Sequence, residues 1–144
     1  MIKLSRLLLL FTLLLLPLSA CDGTATGQTE NCRSTSSSGS CTGSYRTIKG
    51  RYHYDIEITQ YSRDTPVQVE MTASIESGRL RMGLVEVDGQ VAGSETYVVV
   101  LPGTPATLTG ITPIAEFESA RISLEAMDEA EVSGVEYSGS WVVP

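Results

Sequence analysis

From residue 44 onward the chain alternates apolar and polar side chains. Tyr52, Tyr54, Ile56 and Ile58 alternate with Arg51, His53, Asp55, Glu57 and Thr59. Successive side chains of a strand point to opposite faces, so this run predicts an antiparallel strand with one face apolar and the other charged. Val67, Val69, Met71, Ala73 and Ile75 repeat the pattern against Gln68, Glu70, Thr72, Ser74 and Glu76. Leu80, Met82 and Leu84 follow the Ser77-Gly78 break. Asp88-Gly89 lies between Leu84-Val85-Glu86-Val87 and Gln90-Val91-Ala92. It predicts a tight hairpin, because both residues tolerate positive φ. Tyr97 to Leu101 is apolar on both faces and predicts a central or sandwiched strand, ended by Pro102-Gly103-Thr104-Pro105. Ala106 to Ile111 is a further short strand, and Val135, Tyr137, Gly139, Trp141 and Val143 alternate with Glu136, Ser138 and Ser140.

Ile114 to Val132 fits two patterns. Ile114, Phe117, Arg121, Leu124 and Met127 have helical spacing, while Ile122, Leu124 and Ala126 alternate with Arg121, Ser123 and Glu125. A helical face would have to accept Arg121, so a strand over about 119–127 is expected. The result is an all-β fold, an antiparallel β-sandwich of about seven to nine short strands. Roughly 100 residues, 44–144, suffice to bury one core between two sheets. No βαβ alternation, fixed-period repeat or second domain is visible.

The N-terminal segment has a different character. Met1 to Arg6 is short and basic, and Leu7 to Leu16 is an apolar run broken only by Thr12. As a helix that run spans about 15 Å, half the hydrocarbon thickness of a bilayer. It suits the core of a cleaved signal peptide over residues 1–20 and is short for a membrane span. Pro17 ends the run, and Leu18-Ser19-Ala20-Cys21 follows. This tetrad resembles the lipobox of bacterial lipoproteins: aliphatic, small, small, cysteine. The resemblance covers residues 1–21. It implies diacylglycerol on the Cys21 thiol, with palmitate-type acylation of the freed amine, and a membrane partner reached through that lipid. The address it implies is the extracytoplasmic face of the cell membrane. Asp22 resembles the inner-membrane retention signal of Gram-negative lipoproteins.

Removing 20 of the 144 residues leaves 124, and the loss of Lys3 and Arg6 takes the formal charge from −7 to −9. A nucleic-acid binder needs a basic stripe to neutralise phosphates, so nucleic acid is set aside as a partner. The same sign opposes electrostatic attraction to anionic lipid. Residues 21–43 are rich in Ser, Thr and Gly and lack large apolar side chains. Such a segment offsets little of its ordering entropy and reads as a flexible tether, with a reach of roughly 17–20 Å from Cys21 to Cys32. Once Cys21 carries lipid, Cys32 and Cys41 remain to form one disulfide in an oxidising compartment. The closed loop stabilises by about 2.7 kcal/mol in the chain-entropy model.

Candidate chemistry is sparse. His53 is the only histidine, so one chain cannot build a multi-histidine metal site. It sits beside Asp55 on the polar face of its strand, where a solvated side chain is expected. No Gly-x-Ser-x-Gly elbow accompanies it. Asp55 with Glu57, and Glu116 with Glu118, are carboxylate pairs of the kind glycosidases use, common by chance among seventeen acids. Asp128, Glu129 and Glu131 offer hard oxygen ligands without the spacing of a calcium loop. Tyr52, Tyr54, Tyr137 and Trp141 fall on inward faces, and Tyr45, Tyr61 and Tyr97 have no assigned face. Catalytic, metal and cofactor residues are therefore expected to be none. Gly78-Arg79-Leu80-Arg81-Met82, with the later Val87-Asp88-Gly89, resembles the jelly-roll-like modules appended to bacterial secreted peptidases, which implies a jelly-roll-like sandwich.

The expected function is a lipid-anchored, non-catalytic sandwich at the cell envelope that contacts a protein or an envelope polymer. A ligand-binding module for a glycan or Ca²⁺ is the second expectation, and a small hydrolase the third. Cys21→Ser should abolish incorporation of a fatty-acid probe in metabolic labelling. Equal label on both forms would contradict lipidation at Cys21.

Overall fold

A computed structural model describes residues 23–85, 97–114, 119–128 and 130–144. These form β1 (Thr24–Thr26), β2 (Thr29–Ser34), β3 (Ser38–Lys49), β4 (Arg51–Glu57), β5 (Pro66–Ser74), β6 (Leu80–Leu84), β7 (Tyr97–Val100), β8 (Ala106–Pro113), β9 (Ser119–Ala126) and β10 (Glu131–Val142). Among the described residues there is no helix long and apolar enough to cross a membrane. The signal segment, Cys21, Asp22, Asp88-Gly89, Glu116, Phe117, Glu118 and Glu129 lie outside the described residues.

All pairings between these strands are antiparallel. One sheet runs β3-β10-β5-β8, and the facing sheet runs β4-β9-β6-β7. Two four-stranded layers in this order make a jelly-roll-like β-sandwich. β1 and β2 lie along the remaining side of β3, against Thr47–Lys49 and Gly39–Ser44 respectively.

The alternation explains which faces are buried. Tyr54, Ile56 and Ile58 point inward from the β4 segment, Val67, Val69, Met71 and Ala73 from β5, and Leu80, Met82 and Leu84 from β6. Each Val, Ile, Leu and Met among them contributes about 1.5–3 kcal/mol on full burial. The ambiguous stretch resolves as strand: β9 is central in its sheet, and even Ser119 and Ser123 on its outer face are buried. Tyr97 to Leu101 differs from expectation. β7 is an edge strand, with Tyr97 and Leu101 exposed and Val100 buried.

The tether is a clearer correction. Residues 24–26, 29–34 and 38–43 are paired strand, so among the described residues the sheet already includes Thr24 and the boundary at residue 44 does not hold. Backbone pairing orders these residues, and it needs no apolar side chain once a neighbouring strand supplies a ladder.

β3 and β10 share eleven paired positions. Cys41 and Tyr45 on β3 and Val135, Tyr137 and Trp141 on β10 keep an even spacing, but the next buried residues, Ile48 and Val132, stand three from Tyr45 and Val135, where period two demands an even spacing. Both strands therefore reverse their inward face together, at Arg46 and Gly134. Gly134 has φ 60°, and a Cβ there would run into the Glu76 side chain. A left-handed residue without a Cβ permits the local twist that the reversal requires. Gly134→Ala should lower stability by about 1–2 kcal/mol, read as a lower denaturant midpoint at unchanged slope. An unaltered midpoint would contradict this account of the reversal.

Candidate functional site

β2 has no buried side chain along its six residues. What holds it is the backbone ladder to β3, a hydroxyl pair between Thr29 and Ser44 at 2.7 Å, and the Cys32–Cys41 disulfide. The two cysteines stand directly opposite in the register, with Cα atoms 4.1 Å apart. The disulfide expected from the cysteine count is therefore present as a bond between neighbouring strands of the sheet.

The same ladder places Glu30 opposite Gly43, and Gly43 opposite Tyr137 on β10. Gly43 has no side chain, so the Tyr137 ring lies across it; a Cβ at Gly43 would strike the Tyr137 ring and hydroxyl. The phenol thereby reaches the second strand over and donates to Glu30 Oε2 at 2.8 Å. Gly39 plays the same part beneath the Trp141 ring.

Tyr137 belongs to a cluster of rings. It stacks on Tyr45 with centroids 5.6 Å apart, and Tyr54 tilts against it at 5.1 Å. Tyr52 meets Tyr45 edge-on at 5.4 Å. Such pairs add about 0.5–1.5 kcal/mol each beyond the area they bury. Burial pushes the phenol pKa values of Tyr45, Tyr54 and Tyr137 upward, because a phenolate there would lose its hydration. The Glu30 carboxylate adds to the rise at Tyr54 and Tyr137.

Between β2 and β4, the facing edge strands of the two sheets, a cleft of about 330 Å³ opens. Glu30 and Cys32 to Ser34, with the Arg33 cation among them, line it from β2, Tyr54 to Glu57 from β4, and Trp141 from β10. Among the described strands β4 is laddered to β9 alone; on its other side the Arg51 carbonyl accepts from the Gly23 N–H, and the edge from Tyr54 to Glu57 borders the opening. Asp55 on the rim accepts from Arg121 Nε at 2.6 Å and Nη2 at 3.1 Å. That pairing raises the Arg121 pKa further. Glu30, Cys32 and Cys41 bring their side-chain donor atoms within 4.8 Å of one another. The disulfide has consumed both thiolates, so only the carboxylate remains as a ligand.

The other residues singled out in the sequence scatter. His53 lies on the outer face of the β4 sheet, opposite Ser123, and is half-buried where a solvated side chain was expected. Arg51 is its neighbour on that face of β4; Arg51, and Arg81 on β6 two strands over, both pair with Glu125. Arg81 also sits over the exposed Tyr97 ring, 5.6 Å from its centroid. Asp128 pairs with Arg79 at 2.9 Å and Glu131 with Lys49 at 2.8 Å, so these acids face cations and do not converge. Glu57 reaches the cleft with its neighbour Asp55. Trp141, Tyr54 and Tyr137 point inward as expected; Tyr45 is buried among them, and Tyr61 packs at the core margin. Glu30 was missed because it sits in the stretch read as tether. The signal available was the mirror spacing Glu30-x-Cys32 and Cys41-x-Gly43, which pairs Glu30 with Gly43 once the cysteines are set opposite.

No protein-family model matches the chain, and no curated protein matches it in sequence. Solved structures align with it at low identity. The C-terminal family 22 carbohydrate-binding module of Clostridium thermocellum Xyn10B is 13% identical, with TM-score 0.44 and 87% of each chain covered. The xylan-binding CBM22-1 domain of Paenibacillus barcinonensis Xyn10C is 12% identical, with TM-score 0.42, 86% of this chain and 87% of that one covered. A subunit of Bacillus endospore appendages, a family of disulfide-linked pili, is 16% identical, with TM-score 0.41, 88% of this chain and 96% of that one covered.

Folded-state pKa values raised above the ordinary tyrosine value mean stability that is complete below about pH 10 and lost as pH rises toward the folded values. In a spectrophotometric titration, Tyr45, Tyr54 and Tyr137 should ionise only with cooperative unfolding above pH 10. Ionisation of all six tyrosines near pH 10 with the fold intact would contradict the cluster.

Proposed function

We propose that the mature chain is a lipid-anchored, non-catalytic binding module of the cell envelope, and that the β2–β4 cleft seats a polyhydroxylated envelope polymer, a glycan. The observation that carries this reading is the cleft itself: a concave opening lined by Glu30, Glu57 and Trp141 beside the free edge of β4. Carboxylate oxygens accept from sugar hydroxyls, and backbone N–H and C=O groups at a strand edge donate to and accept from them. The sole imidazole lies on the outer face of the β4 sheet and takes no part in lining the cleft. Of the carboxylates at the opening, Asp55 is engaged by Arg121 and Glu30 by the Tyr137 hydroxyl. These groups serve orientation better than proton transfer to a scissile bond.

A second reading rests on the unpaired side of β4. An extended peptide added there would extend the sheet through main-chain hydrogen bonds. The lipid address at Cys21 and the absence of a basic stripe support an envelope polymer over nucleic acid under either reading.

Calorimetry of residues 22–144 against solubilised envelope polysaccharides should find a binder that Glu30→Gln together with Glu57→Gln weakens about tenfold or more, the loss expected for charged hydrogen-bond acceptors. Equal affinity of the double variant would contradict the cleft as the seat. Release of reducing sugar, lost in the same variant, would replace the binding reading with a hydrolytic one.

A further inference from the structure

The structure gives the lipid anchor a direction. Gly23 donates its backbone N–H to the Arg51 carbonyl, and Thr24 already pairs with Lys49. One residue, Asp22, separates Gly23 from Cys21. Two peptide units reach at most about 7 Å, so a lipid carried on Cys21 is tied by the chain to within that reach of Gly23, which is bonded to the Lys49-Gly50-Arg51 turn. The slack expected of a flexible tether is gone.

That turn belongs to one end of the sandwich. Gly50 accepts from the Ala126 N–H, and Arg79 accepts from the Met127 N–H. Leu80 is opposite both Ala126 and Val100, and Leu101 and Gly103 follow Val100. The end face therefore comprises the turns at 49–51, 77–79, 101–104 and 127–128. Leu101, with 44% of its surface exposed, is the exposed large apolar side chain of this end. It lies three strand spacings, about 14 Å, across the sheet from β4. The cleft lies toward the opposite end. Cys41 is eight residues along β3 from Lys49, about 26 Å, and Gly39, the partner of Trp141, is ten residues away, about 33 Å.

We infer that the end face formed by these four turns rests on the bilayer surface, with Leu101 at the lipid, and that the β2–β4 cleft is thereby presented away from the membrane. This rests on acylation of Cys21. The occupant of the face is the membrane itself, because chain connectivity brings two lipid chains to within a few ångströms of it. The cations of this end are paired, Lys49 with Glu131 and Arg79 with Asp128, so the contact needs no anionic lipid.

The test uses the acylated full chain in phosphatidylcholine vesicles that carry a lipid spin-labelled near the headgroup. Trp141 is the sole tryptophan and reports the distal end. The expected result is unquenched Trp141 emission in the wild type, and quenching of the added emission in Leu101→Trp. Quenching of Trp141 in the wild type, or none of the added emission in Leu101→Trp, overturns the orientation when mass spectrometry shows acyl groups on Cys21. Absence of those acyl groups overturns the anchoring reading instead, and the orientation with it. Cys21→Ser protein should show no quenching at either site.

Discussion

The register between β3 and β10 is the constraint on which the candidate site depends. Side chains alternate with period two, so a slip of one residue would carry Tyr137 and Trp141 from the interior to the outer face. With the observed register, Tyr137 meets Gly43 and Trp141 meets Gly39, two positions where a ring crosses the neighbouring strand unobstructed. From there the Tyr137 hydroxyl reaches Glu30, which ties β2 to the core through a strand that lies between them. The reversal at Gly134 extends the same register to Val132 and Ile48, closing the other end of the core. One ladder thus positions the core, the tyrosine cluster and the carboxylate at the cleft.

β2 shows how a segment without apolar side chains becomes part of a sheet. Its exposed residues gain nothing from the hydrophobic effect, and ordering each of them costs about 1–2 kcal/mol in backbone entropy. The ladder to β3 offsets part of this cost, and the Cys32–Cys41 bond lowers the entropy of the unfolded chain by closing a short loop. Without β2 the cleft would have no wall on that side. The Cys32–Cys41 bond in this way helps hold one wall of the cleft in place.

Much of the sandwich was legible in the sequence. Val67 to Ile75 and Leu80 to Leu84 declare their faces by alternation, and β9 declares itself by Ile122, Leu124 and Ala126 despite the competing helical spacing. The edge position of β7 was not legible, because an apolar run shows burial potential and not the number of neighbours. The candidate site was less readable still. Glu57 and Trp141 carry no local signature of a cleft, and Glu30 was hidden in a Ser/Thr/Gly-rich stretch whose order comes from pairing with β3. Pairing partners distant in sequence leave no periodic mark on a polar strand, whereas an apolar face does. The cysteines were the exception: their count predicted the bond, and the bond in turn marks the register that composition conceals.

The central claim is that the β2–β4 cleft is the binding surface of the module. Mapping of amide chemical shifts on residues 22–144 during titration with a solubilised envelope polysaccharide tests it most directly. The account predicts perturbations concentrated at Glu30, Ser34, the Tyr54–Glu57 edge and Trp141. Perturbations centred on Arg81, Tyr97 and Arg51, on the outer face of the β4 sheet, would contradict it.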